Sequence, residues 1–131
     1  MGDNAVEDFA EDFFNAICRA DVAFLKKAYA PDALIWHNTD MTEKSAEASI
    51  GTIQWLIDNI SNFRYEDART IPTATGFVRL HICRGTHKST GRELCVPVAC
   101  IAEMKNGRIT RFEEYFDASQ GAADVPLTAG R

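Results

Sequence analysis

Near its C-terminal end the chain reads Gly-Arg-Ile-Thr-Arg-Phe-Glu-Glu-Tyr-Phe-Asp, from Gly107 to Asp117. Asn106-Gly107 opens this stretch, and that dipeptide favours left-handed backbone at both centres of a two-residue turn, so the stretch is the second arm of a hairpin. Alternate side chains of a strand point to opposite faces. Phe112, Glu114 and Phe116 therefore share one face, and Arg111, Glu113, Tyr115 and Asp117 share the other. A carboxylate between two phenylalanines on a buried face is costly unless it has a partner or a task. The rest of the chain must supply one or the other.

Upstream, strand follows strand from Phe63 onward. Residues 63–71 alternate loosely, Pro72 to Gly76 is a turn cluster, and residues 77–88 form a long strand. On that strand Arg79, His81 and Cys83 share one face, while Val78, Leu80 and Ile82 share the other. Ser89-Thr90-Gly91 then turns the chain into a strand over 92–104. The first half of the chain is helical in pattern. Asn4 with Glu7 makes a capping box, followed by Val6, Phe9, Phe13 and Ile17 along one side. Asp21 caps a shorter helix that Pro31 ends, with Phe24, Leu25, Ala28 and Tyr29 facing inward. Residues 33–39, carrying Leu-Ile-Trp and ending in His37-Asn38, fit an isolated early strand, and residues 45–60 carry Ile50, Ile53, Ile57 and Ile60 at helical spacing. Three helices followed by an antiparallel meander predict an α+β domain, with one curved sheet wrapped around the helices.

With 131 residues the chain makes one domain, spanning 1–131. A net charge of -5 and the absence of any Lys/Arg run exclude a nucleic-acid partner. No apolar stretch approaches the ~20 residues needed to span a bilayer, so no membrane role is expected. Cys18, Cys83, Cys95 and Cys100 form no C-x-x-C pair, which predicts reduced thiols, and with no signal-peptide pattern at the N-terminus the expected location is cytoplasmic.

The element order, helix, helix, strand, helix and meander, resembles the cone-shaped, cystatin-like fold of the nuclear transport factor 2-like superfamily. Ketosteroid isomerases, scytalone dehydratase, polyketide cyclases and limonene-1,2-epoxide hydrolase belong to it. The sequence over Gly107–Asp117, with Asp124-Val125-Pro126-Leu127 after it, is similar to the last of these. That resemblance puts Glu114 where the epoxide hydrolases hold a water-activating aspartate, and puts Cys83 and His81 where they hold a second aspartate and an arginine. Ile35 and His37 fall on their water-holding pair. Against ketosteroid isomerases, His37 takes the place of the proton-shuttling carboxylate, Phe13 matches a tyrosine of the first helix, and a protonated aspartate falls near Ala99 or Cys100. The resemblance also implies a homodimer formed through the outer sheet face.

If that fold holds, His37, His81, Cys83 and Glu114 converge on one pocket. Imidazole is the side chain best matched to proton transfer near neutral pH. The expectation is a general acid/base site with His37, Glu114 and His81 as the catalytic groups, and with Glu114 and His81 forming the couple that serves His37. Phe13, Phe14, Ile17, Ile35, Cys83, Val96, Val98, Phe112 and Phe116 form the substrate wall. The ligand expected is a small apolar molecule such as a polyketide, terpenoid, steroid or aromatic catabolite, and the reaction an isomerisation, cyclisation, dehydration or lyase step. Epoxide hydrolysis with a changed triad and a non-catalytic binding or protein-interaction domain are the alternatives. No cofactor is expected, and the His/Glu spacing carries no metal motif. A lone strand histidine is more often structural than catalytic. Arg79, on the face of His81, could pair with Glu114 and make the carboxylate structural. His87, near a hairpin end, is expected to face solvent.

Overall fold

The computed structural model describes residues 3–120. Helix α1 (Asp3–Arg19) and helix α2 (Val22–Ala28) form a hairpin, followed by β1 (Tyr29–His37), β2 (Thr42–Ser45), α3 (Ala46–Asn59) and four long strands. These are β3 (Ile60–Pro72), β4 (Gly76–His87), β5 (Glu93–Lys105) and β6 (Arg108–Phe116). The strands make one unclosed sheet in the order β2-β1-β6-β5-β4-β3. The segment Asp124–Leu127 lies outside the described residues.

Local chemistry accounts for most boundaries. Asp21 caps α2, its Oδ1 accepting the Phe24 N–H at 3.2 Å, and Ser45 caps α3 by accepting the Ala48 N–H at 3.1 Å. At the β5–β6 turn Asn106 (φ 54) and Gly107 (φ 76) both take left-handed backbone, as the dipeptide requires. Helix α1 begins one residue before Asn4, the cap expected from sequence. Strand β3 owes its bend to two register shifts against β4, between Ser61 and Arg64 and between Glu66 and Arg69. Asn62 (φ 54) and Asp67 (φ 53) occupy those bulges in left-handed backbone, which their short polar side chains tolerate. The bulged strand curls the sheet over the helices.

Two features depart from expectation. The sheet is mixed, because β1 is neither isolated nor antiparallel to the meander: it runs parallel to β6, Ile35 beside Phe112 and His37 beside Glu114. Strand β1 also starts earlier than residue 33 and includes Pro31, which sits inside the register irregularity between Tyr29 and Leu34 rather than just past a helix end. The edge strand β2, Thr-Glu-Lys-Ser, was not expected; its inward residue is Lys44, buried and bonded to the Asp40 carboxylate.

The core lies between the inner sheet face and the helices. Phe13, Phe14, Leu25, Ile35, Phe77 and Ile109 are all at or below 2% exposure. Four rings, Phe13, Phe14, Tyr29 and Phe112, meet with centroids 5.1–6.2 Å apart in edge-on or tilted pairs. Gly76 opens β4 where the strands close on each other, since a Cβ there would fall 2.0 Å from the Ala102 carbonyl oxygen. The opposite sheet face leaves Leu34, Ile71, Ile101 and Tyr115 exposed. His87 is buried at 2%, contrary to expectation, because the inward alternation Arg79, His81, Cys83 continues through Gly85 to the last residue of β4. No helix among the described residues is long and apolar enough to cross a membrane.

Candidate active site

Between the concave sheet face and the helices lies a cavity of about 100 Å³. Its wall is apolar: Phe14 and Ile17 from α1, Ile53 and Leu56 from α3, Phe63 from β3, Leu94, Val96 and Val98 from β5, and Phe112 and Phe116 from β6. Polar residues enter at few points, namely His37, Glu114, Cys83, Tyr29, Tyr65, Ser49 and Thr52. A mostly apolar concavity with a few convergent polar groups is the usual form of a small-molecule site.

The parallel pairing of β1 with β6 creates the central contact. His37 ends β1 beside Glu114, and its Nε2 lies 2.8 Å from Glu114 Oε1. Asn38 fastens the strand ends together: its Oδ1 accepts the Phe116 N–H at 2.9 Å and its Nδ2 donates to the Phe116 carbonyl at 3.1 Å. Burial by itself would raise the Glu114 pKa. The hydrogen bond and charge of His37, with smaller help from His81 and Cys100, outweigh it and hold the carboxyl below its ordinary value. Glu114 is therefore a carboxylate that accepts the Nε2–H of His37, and in the neutral form of that tautomer the imidazole lone pair is on Nδ1. That Nδ1 is buried and has no hydrogen-bond partner.

Behind Glu114 lies a second layer. Cys100 Sγ is 3.6 Å from Glu114 Oε2 and 4.0 Å from His81 Nε2. Burial, and then the Glu114 charge, push the Cys100 thiol pKa up, so its S–H donates to the carboxylate. His81 is sandwiched by rings, 4.3 Å from Tyr65 and 5.1 Å from Phe14 between centroids. Its pKa is lowered to about 4, first by burial, with Glu114 opposing and Arg79 reinforcing the shift. The Arg79 guanidinium stacks 4.3 Å above the Phe14 ring, donates from Nε to His81 Nδ1 at 3.3 Å, and pairs with Glu11 at 3.4 Å. Among the described residues, then, the ion-pair partner of Arg79 is Glu11 and that of Glu114 is His37, and the alternative Arg79–Glu114 pair is not formed.

His81, Cys100 and Glu114 bring three donor atoms within 4.8 Å of one another. The set resembles a metal centre in composition, but its proton placement runs the other way. A ligating imidazole binds through a lone pair while its other nitrogen carries the proton. Here the guanidinium can only donate, so Nδ1 is the acceptor and the proton sits on Nε2, the nitrogen that faces the cluster.

Of the residues singled out from sequence, His37, Glu114, Phe14, Ile17, Cys83, Val96, Val98, Phe112 and Phe116 meet at the cavity. Three do not line it. Phe13 is fully buried behind the Phe14 and Phe112 rings, Ile35 is packed into the core from β1, and His81 lies one layer back beneath Phe14 and Tyr65. Sequence reading missed Tyr29, Tyr65, Leu94, the α3 residues Ser49, Thr52, Ile53 and Leu56, and Phe63 as lining residues, and Cys100 as the second neighbour of Glu114. Tyr29 reads as a helix residue beside Pro31, yet it opens β1 and its hydroxyl bonds Ser49. Cys100 was legible in principle, since it alternates inward with Val96 and Val98.

A six-stranded, curved, unclosed mixed sheet holding three helices, with an apolar cavity at its concave face, defines a nuclear transport factor 2-like protein. Residues 10–112 match the model of the SnoaL-like domain, and the chain belongs to that family. No curated protein matches it at a significant level. Among solved structures it is similar to IdmH of Streptomyces antibioticus, provisionally assigned as a polyketide cyclase, with 19% identity over 90% of this chain and 96% of that one and a TM-score of 0.79. A protein of Xanthomonas campestris pv. campestris with the same provisional assignment is 18% identical over 93% and 97% of the two chains, TM-score 0.78. A nuclear transport factor 2-like protein of unknown function from Burkholderia pseudomallei is 22% identical over 95% and 98%, TM-score 0.77. At these identities the likeness concerns the fold.

Proposed function

We propose that the protein is an enzyme that performs general acid/base chemistry, an isomerisation or cyclisation, on a small and largely apolar carbonyl compound of the polyketide type. The single observation that carries this reading is the His37–Glu114 pair, with its buried and unpartnered Nδ1, at an apolar cavity. Membership of the SnoaL-like family and the provisional naming of two structural neighbours as polyketide cyclases support it.

The chemistry follows from the protonation states. The Nδ1 lone pair removes a proton from a carbon beside a carbonyl, and the resulting imidazolium is stabilised by Glu114 through the 2.8 Å hydrogen bond. Returning the proton at a different carbon completes an isomerisation. Attack of the enolate carbon on a second carbonyl of the same molecule, which takes up the proton at oxygen, closes a ring. The apolar wall keeps water from competing for the proton.

Proton exchange is the most direct test, because it needs no knowledge of the final product. A panel of apolar ketones and 1,3-dicarbonyl compounds is incubated in deuterium oxide and followed by proton NMR. The protein should speed exchange at the activated carbon, and His37→Ala and Glu114→Gln should each lower the rate at least ~100-fold, the usual scale of an acid/base contribution. Unchanged rates in both variants, with circular dichroism showing intact folds, sink the assignment. Incorporation of labelled water oxygen into a diol would point to epoxide hydrolysis instead.

A further inference from the structure

Arg79 stands outside the cavity and touches neither His37 nor Glu114 in any contact described above, yet it determines what Glu114 meets on its far side. We infer that Arg79 is a positioning residue that fixes His81 as the neutral Nε2–H tautomer, so that the site's mobile proton stays on the His37–Glu114 pair. The inference rests on the proposed acid/base reading for its functional meaning, although its geometry is independent of it.

A guanidinium has only N–H donors and does not lose its charge. Its Nε–H meets His81 Nδ1 at 3.3 Å, so that nitrogen accepts and cannot bear hydrogen. The single imidazole proton is left on Nε2, directed at Cys100 and the Glu114 carboxylate. The opposite tautomer would aim a lone pair at the carboxylate and leave two N–H donors head to head. Asp67 and Arg69 of β3 share the outer groove with His81, and the groups placed against its ring come from five elements. They are Arg79 from its own strand, Glu114 from β6, Cys100 from β5, the Tyr65 ring from β3 and the Phe14 ring from α1. Glu11, also on α1, reaches the ring only through Arg79, and its side chain is 62% exposed.

A cation on one side and apolar rings on two others oppose an imidazolium, which the carboxylate alone would favour. The lowered proton affinity of His81 agrees with this balance. Through it Glu114 keeps a polarised N–H neighbour and no competing base. His37 is then the acceptor of any proton that enters.

Nitrogen-15 NMR of the histidine rings in the full chain tests this directly. In the wild type at pH 7, His81 should show a pyridine-like Nδ1 and a pyrrole-like Nε2, and should not titrate above pH 5. Arg79→Met should mix the tautomers and raise the His81 midpoint, while Arg79→Lys, which keeps a cationic donor, should restore most of both. Because Arg79→Met removes a buried group and could unfold the chain, Glu11→Gln serves as the independent variant. Removing the exposed counter-charge leaves Arg79 less neutralised, so the His81 midpoint should fall further. A pyrrole-like Nδ1 in the wild type, or a midpoint unmoved by Arg79→Met in a folded protein or by Glu11→Gln, overturns the inference. The proton-exchange rate of Arg79→Met should fall on the acid side of its pH profile. Loss of the tautomer signal with intact exchange kinetics would defeat this inference alone, whereas an intact tautomer signal with no exchange in the wild type would defeat the acid/base reading alone.

Discussion

Replacing His81 by Asn should flatten the acid side of the stability profile. In the folded chain the His81 pKa is lowered from 6.5 to about 4, so between those values the unfolded chain binds a proton that the native state refuses. Stability is then fully present above pH 6.5, falls by about 1.4 kcal/mol per pH unit below it, and levels off once the native imidazole is also protonated. The full loss amounts to about 3 kcal/mol, a large part of the 5–15 kcal/mol that keeps a typical domain folded. Asparagine can offer its side-chain oxygen to Arg79 in place of Nδ1, and it does not titrate. Urea unfolding at half-unit steps from pH 7.5 to 4.5 should show the wild type losing about 2–3 kcal/mol more than the variant over that range. Most of that loss precedes any contribution from Glu114, whose depressed pKa keeps its stabilisation intact until the pH falls below the ordinary carboxylate value. Parallel wild-type and variant curves would show that His81 is not held neutral by its surroundings, and the account of the Arg79–His81–Glu114 chain would fail with them.

Two further outcomes are expected. Gly76→Ala puts a methyl 2.0 Å from the Ala102 carbonyl oxygen, a backbone atom with little freedom to move, and should lower stability by about 1–3 kcal/mol in urea unfolding; an unchanged midpoint would show that the β4–β5 junction yields. The outer sheet face, with Ile101 and Tyr115 exposed above a shallow groove lined by Leu80, Pro97 and Ala99, is expected to join two copies. Sedimentation velocity should then give a dimer at micromolar concentration and a monomer for Ile101→Glu with Tyr115→Glu, and a monomeric wild type would refute the pairing.

Much of the architecture was legible because it depends on short-range rules. The Asn106-Gly107 turn, the Asp21 cap and the two-residue alternation of β4 and β6 each involve a few neighbouring residues. The alternation of β6 alone was enough to place Glu114 between Phe112 and Phe116 on the cavity side. What escaped was set at long range. Nothing within residues 29–37 says that their partner is β6 or that the pairing is parallel, and the bulge that admits Pro31 exists only once that pairing forms. Strand β2 carries no apolar alternation, because its one inward residue is a lysine neutralised by Asp40. For His81 the face was right and the depth was not: strand period tells which side a residue takes, and only the Phe14 and Tyr65 rings decide that it lies beneath the cavity wall. His87 shows the reverse case, where the alternation did extend to the strand end and position beside a turn suggested otherwise.

The contact between His37 and Glu114 spans 77 residues of chain, and it is made by placing the first of the described strands beside the last of them. Such pairings form late, because the entropy of closing a long loop must be met before the contacts repay it. While the chain grows, β1 has only the four-residue β2 beside it in the sheet, and the cavity lacks the wall that β5 and β6 supply. The His37–Glu114 pair and the completed sheet therefore come into being in the same event. Without β6 there is no Glu114 beside His37, so any acid/base activity carried by that pair would also report that folding is finished.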